Sequence, residues 1–222
     1  MADDLAASGS EGPAGTVVSG DARQSGSWAG LAPGSGAACV SSPPYLNNFD
    51  YADATRLELY FLKLADSWAS MCATVRSGMV VATCQQTSVA RDAQAREYLQ
   101  RYPSVSERLE RLIRELAAER HGRERGKEYD RVVGPYFHGI GEVLEQMRPR
   151  LAKGASVLFV VGDSAPYGVY IDTPDLIACL AGCVGYSTMA DTTIRKRGLR
   201  WCSNPRRHHQ PLSERLLHLQ VV

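Results

Sequence analysis

The chain has 222 residues, 44% hydrophobic and 22% charged, which is enough for one sizeable core. Its 25 basic and 24 acidic residues leave a net charge of +1, so no global field selects a partner and local charge must be read instead. The cysteines (Cys39, Cys72, Cys84, Cys179, Cys183 and Cys202) form no C-x-x-C pair and the histidines no H-x-x-x-H, which argues against a disulfide frame or a metal site and for reduced thiols in a cytoplasmic protein.

Residues 1–15 are small, acidic and Gly-rich and read as a disordered N-terminus; they lack the basic start and apolar run of a secretory signal. No segment has the length of a membrane span. One folded region is expected over 16–222. Thr16-Val17-Val18-Ser19 and Ala37-Ala38-Cys39-Val40 are short apolar runs that read as buried strands, each ending in a polar loop. Asp53 is placed to cap a helix from Ala54, with Leu57, Phe61, Leu64 and Trp68 on one face. Met79 to Thr83 reads as a third strand. A charged helical insertion follows over about 88–125, with Val105, Leu109, Leu112 and Leu116 as its single apolar stripe.

Tyr129 to Leu151 reads as a further helix, ended by Lys153-Gly154. Ser156 to Val161 is the strongest strand, apolar on both faces as a central parallel strand should be. It stops at Gly162-Asp163-Ser164. Thr173-Pro174 supplies a cap and a first-turn proline for a helix over Asp175 to Ala181. Ser187 to Ile194 and Arg215 to Val221 read as two last strands, a candidate hairpin. Strands alternating with helices predict an α/β fold with a mostly parallel sheet, whose ligands sit beyond the carboxyl ends of the strands.

Ser42-Pro43-Pro44-Tyr45, directly after a short strand, resembles the (Ser/Asp/Asn)-Pro-Pro-(Tyr/Phe) motif of amino-group methyltransferases that use S-adenosylmethionine; the Ser form is similar to that of DNA cytosine-N4 enzymes. Val18 to Arg23, Lys153 to Ser164 and Pro211 to Leu217 also resemble segments of that family. The resemblance implies a Rossmann-like methyltransferase sheet, mostly parallel with a C-terminal antiparallel hairpin, and leaves open whether it is complete. It further implies that Ser42, Pro43, Pro44 and Tyr45 are catalytic, that Asp21 and Ser41 contact the cofactor, and that Asn47, Asp163 and Ser164 line the base pocket. Asn48 and Tyr51 are pocket or DNA-side candidates without a spacing argument. The chemistry suits these residue types. An exocyclic amine is a poor nucleophile, and acceptors on its hydrogens favour a pyramidal nitrogen and the charge that develops on transfer. The Ser42 hydroxyl and the Pro43 carbonyl are such acceptors, the prolines fix the backbone, and Tyr45 offers a face to a flipped base.

Arg195 to His209 contains Arg195, Lys196, Arg197, Arg200, Arg206 and Arg207, no acid, and Trp201. This pattern suits DNA phosphates with one stacking platform. The family also needs a Gly-rich turn between a strand and a helix. Phe137-His138-Gly139-Ile140-Gly141 fits the letters but lies in a helical stretch, and reads as a decoy. The chain therefore looks like a catalytic half, with a second chain or a missing segment supplying the cofactor's main site; a circular order in which Phe137 to Gly141 serves is the alternative. Adenine-N6 or RNA methylation and a non-catalytic nucleic-acid-binding remnant also remain open.

Overall fold

The computed structural model describes residues 15–197 and 211–222. Four strands, β1 (Gly36–Ser41), β2 (Leu151–Gly162), β3 (Tyr186–Arg197) and β4 (Leu212–Val221), form one open sheet in the order β1-β2-β4-β3. Between β1 and β2 run α1 (Tyr51–Ala54), α2 (Arg56–Phe61), α3 (Trp68–Thr74), α4 (Val89–Leu99), α5 (Pro103–His121) and α6 (Asp130–Met147); α7 (Thr173–Cys183) joins β2 to β3.

The class is α/β, but the sheet is mixed rather than mostly parallel. β1 and β2 are parallel, with Val40 beside Leu158. β4 is antiparallel to both β2 and β3, with Val157 beside Leu219 and Thr192 beside Leu216. The reason is positional. Alternation with helices gives β1, β2 and β3 a common direction, as expected of crossover connections. β4 then returns and inserts between β2 and β3, turning two of the three pairings antiparallel. The last two strands do form the expected antiparallel pair.

Pleating puts Val157, Phe159 and Val161 on one face of β2 beside Leu217 and Leu219 of β4, all buried. They pack with Tyr136, Phe137, Ile140 and Leu144 of α6 and Leu176, Ile177 and Leu180 of α7. The opposite face is not covered as a two-sided parallel strand would be: Leu158 and Val160 are half-buried and Val40 is 76% exposed. Among the described residues one helical layer covers one sheet face.

Three expected elements are overturned. Thr16 to Ser19 is coil, with Val17 and Val18 exposed, because β propensity makes a strand only where a neighbour offers a ladder. Met79 to Thr83 is also coil. Val81, Ala82 and Thr83 are buried there, but the N–H groups of Ala82 and Thr83 donate to the Gln86 side chain at 2.8 and 3.2 Å. The single helix from Ala54 is instead three short ones. Asp50, not Asp53, caps α1; Lys63 takes φ 56° after α2; a Ser67–Ser70 capping box starts α3. Leu57, Phe61, Leu64 and Trp68 consequently share no buried face and are exposed. The insertion does form α4 and α5, whose seam runs through Val105, Leu109, Ile113 and Leu116, with Leu112 only partly buried. β2 begins earlier than expected, so Lys153 and Gly154 lie within it. Asp172 rather than Thr173 caps α7.

Burial raises the hydroxyl pKa of Tyr98, Tyr136, Tyr170 and Tyr186, with Tyr170 pushed up to about 12. A group whose folded pKa exceeds its unfolded value stabilises the fold below the unfolded pKa and loses that contribution as pH rises through the folded one. With the unfolded value near 10, the urea midpoint is expected to fall progressively above about pH 10. A midpoint that stays flat from there to about pH 12 would contradict these burials.

Candidate functional site

Because β1 and β2 are parallel, their carboxyl ends lie together, and the loops that leave them meet there. The loop after β1 is held from below. The Tyr136 hydroxyl, on a fully buried side chain of α6, donates to the Pro44 carbonyl at 2.8 Å. Burial keeps that hydroxyl protonated and so a donor. Tyr45 N–H donates to the Tyr51 hydroxyl at 3.2 Å. The Ser42 hydroxyl donates to the Val160 carbonyl at 3.1 Å, which commits its proton and leaves its lone pairs as acceptors. The Pro43 carbonyl has no hydrogen bond among the described residues.

The loop after β2 begins at Gly162. A Cβ at that position would lie 3.0 Å from Tyr45 Cδ2 and 2.8 Å from the Arg197 guanidinium carbon, so only glycine lets these groups close in. Asp163 is buried at 1% exposure and accepts from Ser213 N–H at 2.8 Å, the Ser213 hydroxyl at 2.7 Å and the Tyr170 hydroxyl at 3.2 Å. Arg197 donates to the Asp163 carbonyl and, at 3.2 Å, to the Ser213 carbonyl, and pairs with the Asp163 carboxylate at 3.6 Å. Its guanidinium sits 5.3 Å from the Tyr45 ring centroid. Ser164 is 3% exposed, and its hydroxyl has no partner among the described residues.

A cavity of about 870 Å³ opens between these loops and the start of α6. Asn47, Asp163, Ser164 and Arg197 all line it, so four of the expected site residues converge. Asn48 joins them. Ser42, Pro43, Pro44 and Tyr45 do not line it; the loop enters its wall at Leu46, and Tyr45 is linked to it through Arg197. At the rim, Tyr129 and Tyr167 meet edge to face at 4.9 Å, and Arg123 lies 4.4 Å over Tyr167. Tyr167 has φ 56°, a conformation rare outside glycine that concentrates at functional sites. The rim was not anticipated. The Pro166-Tyr167-Gly168 turn was its available signal, whereas Tyr136 looks in sequence like any other core residue of its helix.

Other expected residues stand elsewhere. Asp21 pairs with Arg23 at 2.6 Å, and that hydrogen bond holds its carboxyl below the usual range. It faces a separate cavity of about 250 Å³ with Arg91, His138 and Glu142. Ser41 is exposed at the end of β1. Arg197, at the cavity, is engaged by Asp163 and Tyr45. Arg195 is exposed and pairs with Glu214 at 2.7 Å, and Lys196 is exposed on β3. Arg200, Trp201, Arg206 and Arg207 lie outside the described residues. Phe137 to Gly141 is in mid-helix rather than in a strand-to-helix turn, with Gly139 in the lining of the cavity that Asp21 faces. Gly139 and Gly141 serve packing there: a Cβ would lie 3.1 Å from Val80 Cγ1 at the first and 3.0 Å from Tyr98 Cε1 at the second.

Comparison of the chain with protein-family models, with curated proteins and with solved structures found no match. Among the described residues no helix is long and apolar enough to cross a membrane.

Proposed function

We propose that this chain is the base-binding half of an S-adenosylmethionine-dependent DNA amino-methyltransferase, acting on cytosine N4. The observation that carries the reading is the Ser42–Tyr45 loop at the carboxyl end of β1. It offers two acceptors, the Ser42 oxygen and the Pro43 carbonyl, and runs at Leu46 into the wall of a cavity large enough for a nucleotide. In this reading the amino hydrogens of the flipped base donate to those two oxygens. The nitrogen lone pair is thereby drawn out of conjugation. Tyr136 and Tyr51 keep the loop from relaxing when the base arrives.

The described residues do not fit the methyl donor. Asp21 is neutralised by Arg23 at a different cavity, and the only Gly-x-Gly of the expected type is packed inside α6. We therefore assign the donor site to a second chain or further segment. β1 leaves room for one, since it is an edge strand in the described sheet and carries no charged residue or proline to block pairing.

The test is genetic, so that the chain works in its native assembly. Deleting the gene and digesting genomic DNA to nucleosides is expected to remove N4-methyldeoxycytidine. Loss of N6-methyldeoxyadenosine instead would reassign the base. Unchanged modification would favour a second reading, a nucleic-acid-binding remnant, which the Arg197 cap over Tyr45 and the lack of a donor site among the described residues support.

A further inference from the structure

We infer that Asn48, with Asn47 beside it, makes the cavity selective for cytosine by presenting amide NH2 donors to the ring acceptors O2 and N3. This rests on the base-binding reading above and goes beyond it to the residues that choose the base.

The orientation of both amides is fixed by chemistry. Cys84 N–H donates to Asn48 Oδ1 at 3.0 Å, and Phe49 N–H donates to Asn47 Oδ1 at 3.1 Å. A backbone N–H can only donate, so each receiving atom must be the oxygen. Flipping either amide would set donor against donor. The Nδ2 group is then the uncommitted end of two residues that line the cavity. Asn48 is also held through its backbone, with φ 61° and its N–H on the Ala82 carbonyl at 3.1 Å. Asparagine tolerates that left-handed conformation better than most residues.

The rest of the cavity narrows the ligand. Leu46, Val132, Val133 and Ile171 are buried apolar walls that suit a flat neutral ring. The two arginines are engaged already, Arg197 with Asp163 and Arg123 with Glu119 at 3.2 Å. The Ser164 hydroxyl, without a partner among the described residues, can donate or accept. The fixed and uncommitted groups are therefore the two amide donors. Cytosine carries two neighbouring acceptors, N3 and O2, next to its amine. Adenine's acceptors N1 and N7 lie on opposite sides of its amine, so neither edge offers two side by side, and uracil replaces the N3 acceptor by an N–H that would oppose a donor. A site built to hydrogen-bond one pattern rejects a ligand that leaves its polar groups unpaired.

Asn48→Asp tests this. It keeps the Oδ1 acceptor for Cys84 N–H and tolerates the backbone conformation, but exchanges the donor NH2 for a carboxylate oxygen. The full chain is titrated with deoxycytidine, deoxyadenosine and deoxyuridine, and binding is read from NMR shifts of the cavity's backbone amides. The native chain is expected to bind deoxycytidine about tenfold more tightly than the other two, and the variant to lose that preference. Asn48→Gly, which accepts the same φ, is expected to reduce the preference without reversing it, and serves if the Asp variant does not fold. Equal binding of all three nucleosides to the native chain, or a preference untouched in both variants, would overturn the inference and leave the base-binding reading standing. Binding of none of them would overturn both.

Discussion

Replacing Asp163 with alanine is expected to lower the unfolding free energy by about 3–5 kcal/mol, the usual cost of removing one partner from a buried ion pair. Asp163 is almost wholly buried and accepts three hydrogen bonds, from Ser213 N–H, the Ser213 hydroxyl and the Tyr170 hydroxyl. It also faces the Arg197 guanidinium. Alanine would take the acceptor from each of those donors and the counter-charge from Arg197, and of the donors only Tyr170 is exposed to water. Asp163→Asn is expected to lose less than half as much, because the amide oxygen can still accept from Ser213 N–H and the two hydroxyls can rotate to accept from its NH2. Urea midpoints followed by circular dichroism at neutral pH give both values. A loss below about 1 kcal/mol for the alanine variant would show that Asp163 is not the anchor of this corner. In sequence Asp163 looks like a group that reads the base. Its lone pairs are occupied, so its substitution should unfold the wall of the cavity before it alters any recognition.

The two assignments of Asp163 differ because its partners are distant in the chain. Ser213 is 50 residues away and joins it only through the pairing of β2 with β4. No local pattern carries that information. The elements that were legible are those whose apolar pattern is local. The continuous apolar run Val157 to Val161 marks β2 as a strand without saying that only Val157, Phe159 and Val161 face the core, and the stripe of α5 marks a helix with one packed side. Misreadings arose where a single residue decides the geometry. Lys63, in a left-handed conformation, separates Leu57 and Phe61 from Trp68, and spacing alone shows no break there. The Gln86 side chain takes the N–H groups that a strand at Ala82 and Thr83 would have given to a neighbour. Sheet direction was half legible: helices between strands set β1, β2 and β3 alike, but nothing local says that β4 inserts between two of them. At the site, the chain reveals that the loops after β1 and β2 carry polar residues at strand ends. It does not reveal that Arg197 from β3 turns back to cover Tyr45, because that depends on the absence of a side chain at Gly162.

Ser42→Ala, placed in a purified assembly that methylates DNA, is expected to slow methyl transfer by about 100- to 1,000-fold with little change in DNA affinity, the range typical of losing one donor or acceptor aimed at developing charge. The Ser42 proton is spent on the Val160 carbonyl, so the oxygen is polarised to accept and its removal takes away one of the two oxygens on the amino group. Stability is expected to change by less than about 0.5 kcal/mol, since Ser42 is exposed and water can replace it at Val160. The effect on rate and the absence of an effect on folding together distinguish this residue from Asp163. Ser42→Asn returns a carbonyl oxygen to the position and is expected to recover about tenfold of the lost rate. Single-turnover rates at saturating DNA separate the step from binding. If Ser42→Ala transfers methyl groups within about twofold of the native rate, the amine is held by other atoms and the loop's role falls. Tyr45→Ala adds a second readout. It removes the ring under Arg197, and a loss of DNA affinity with the chemical step preserved would assign Tyr45 to stacking and leave the two oxygens to the chemistry.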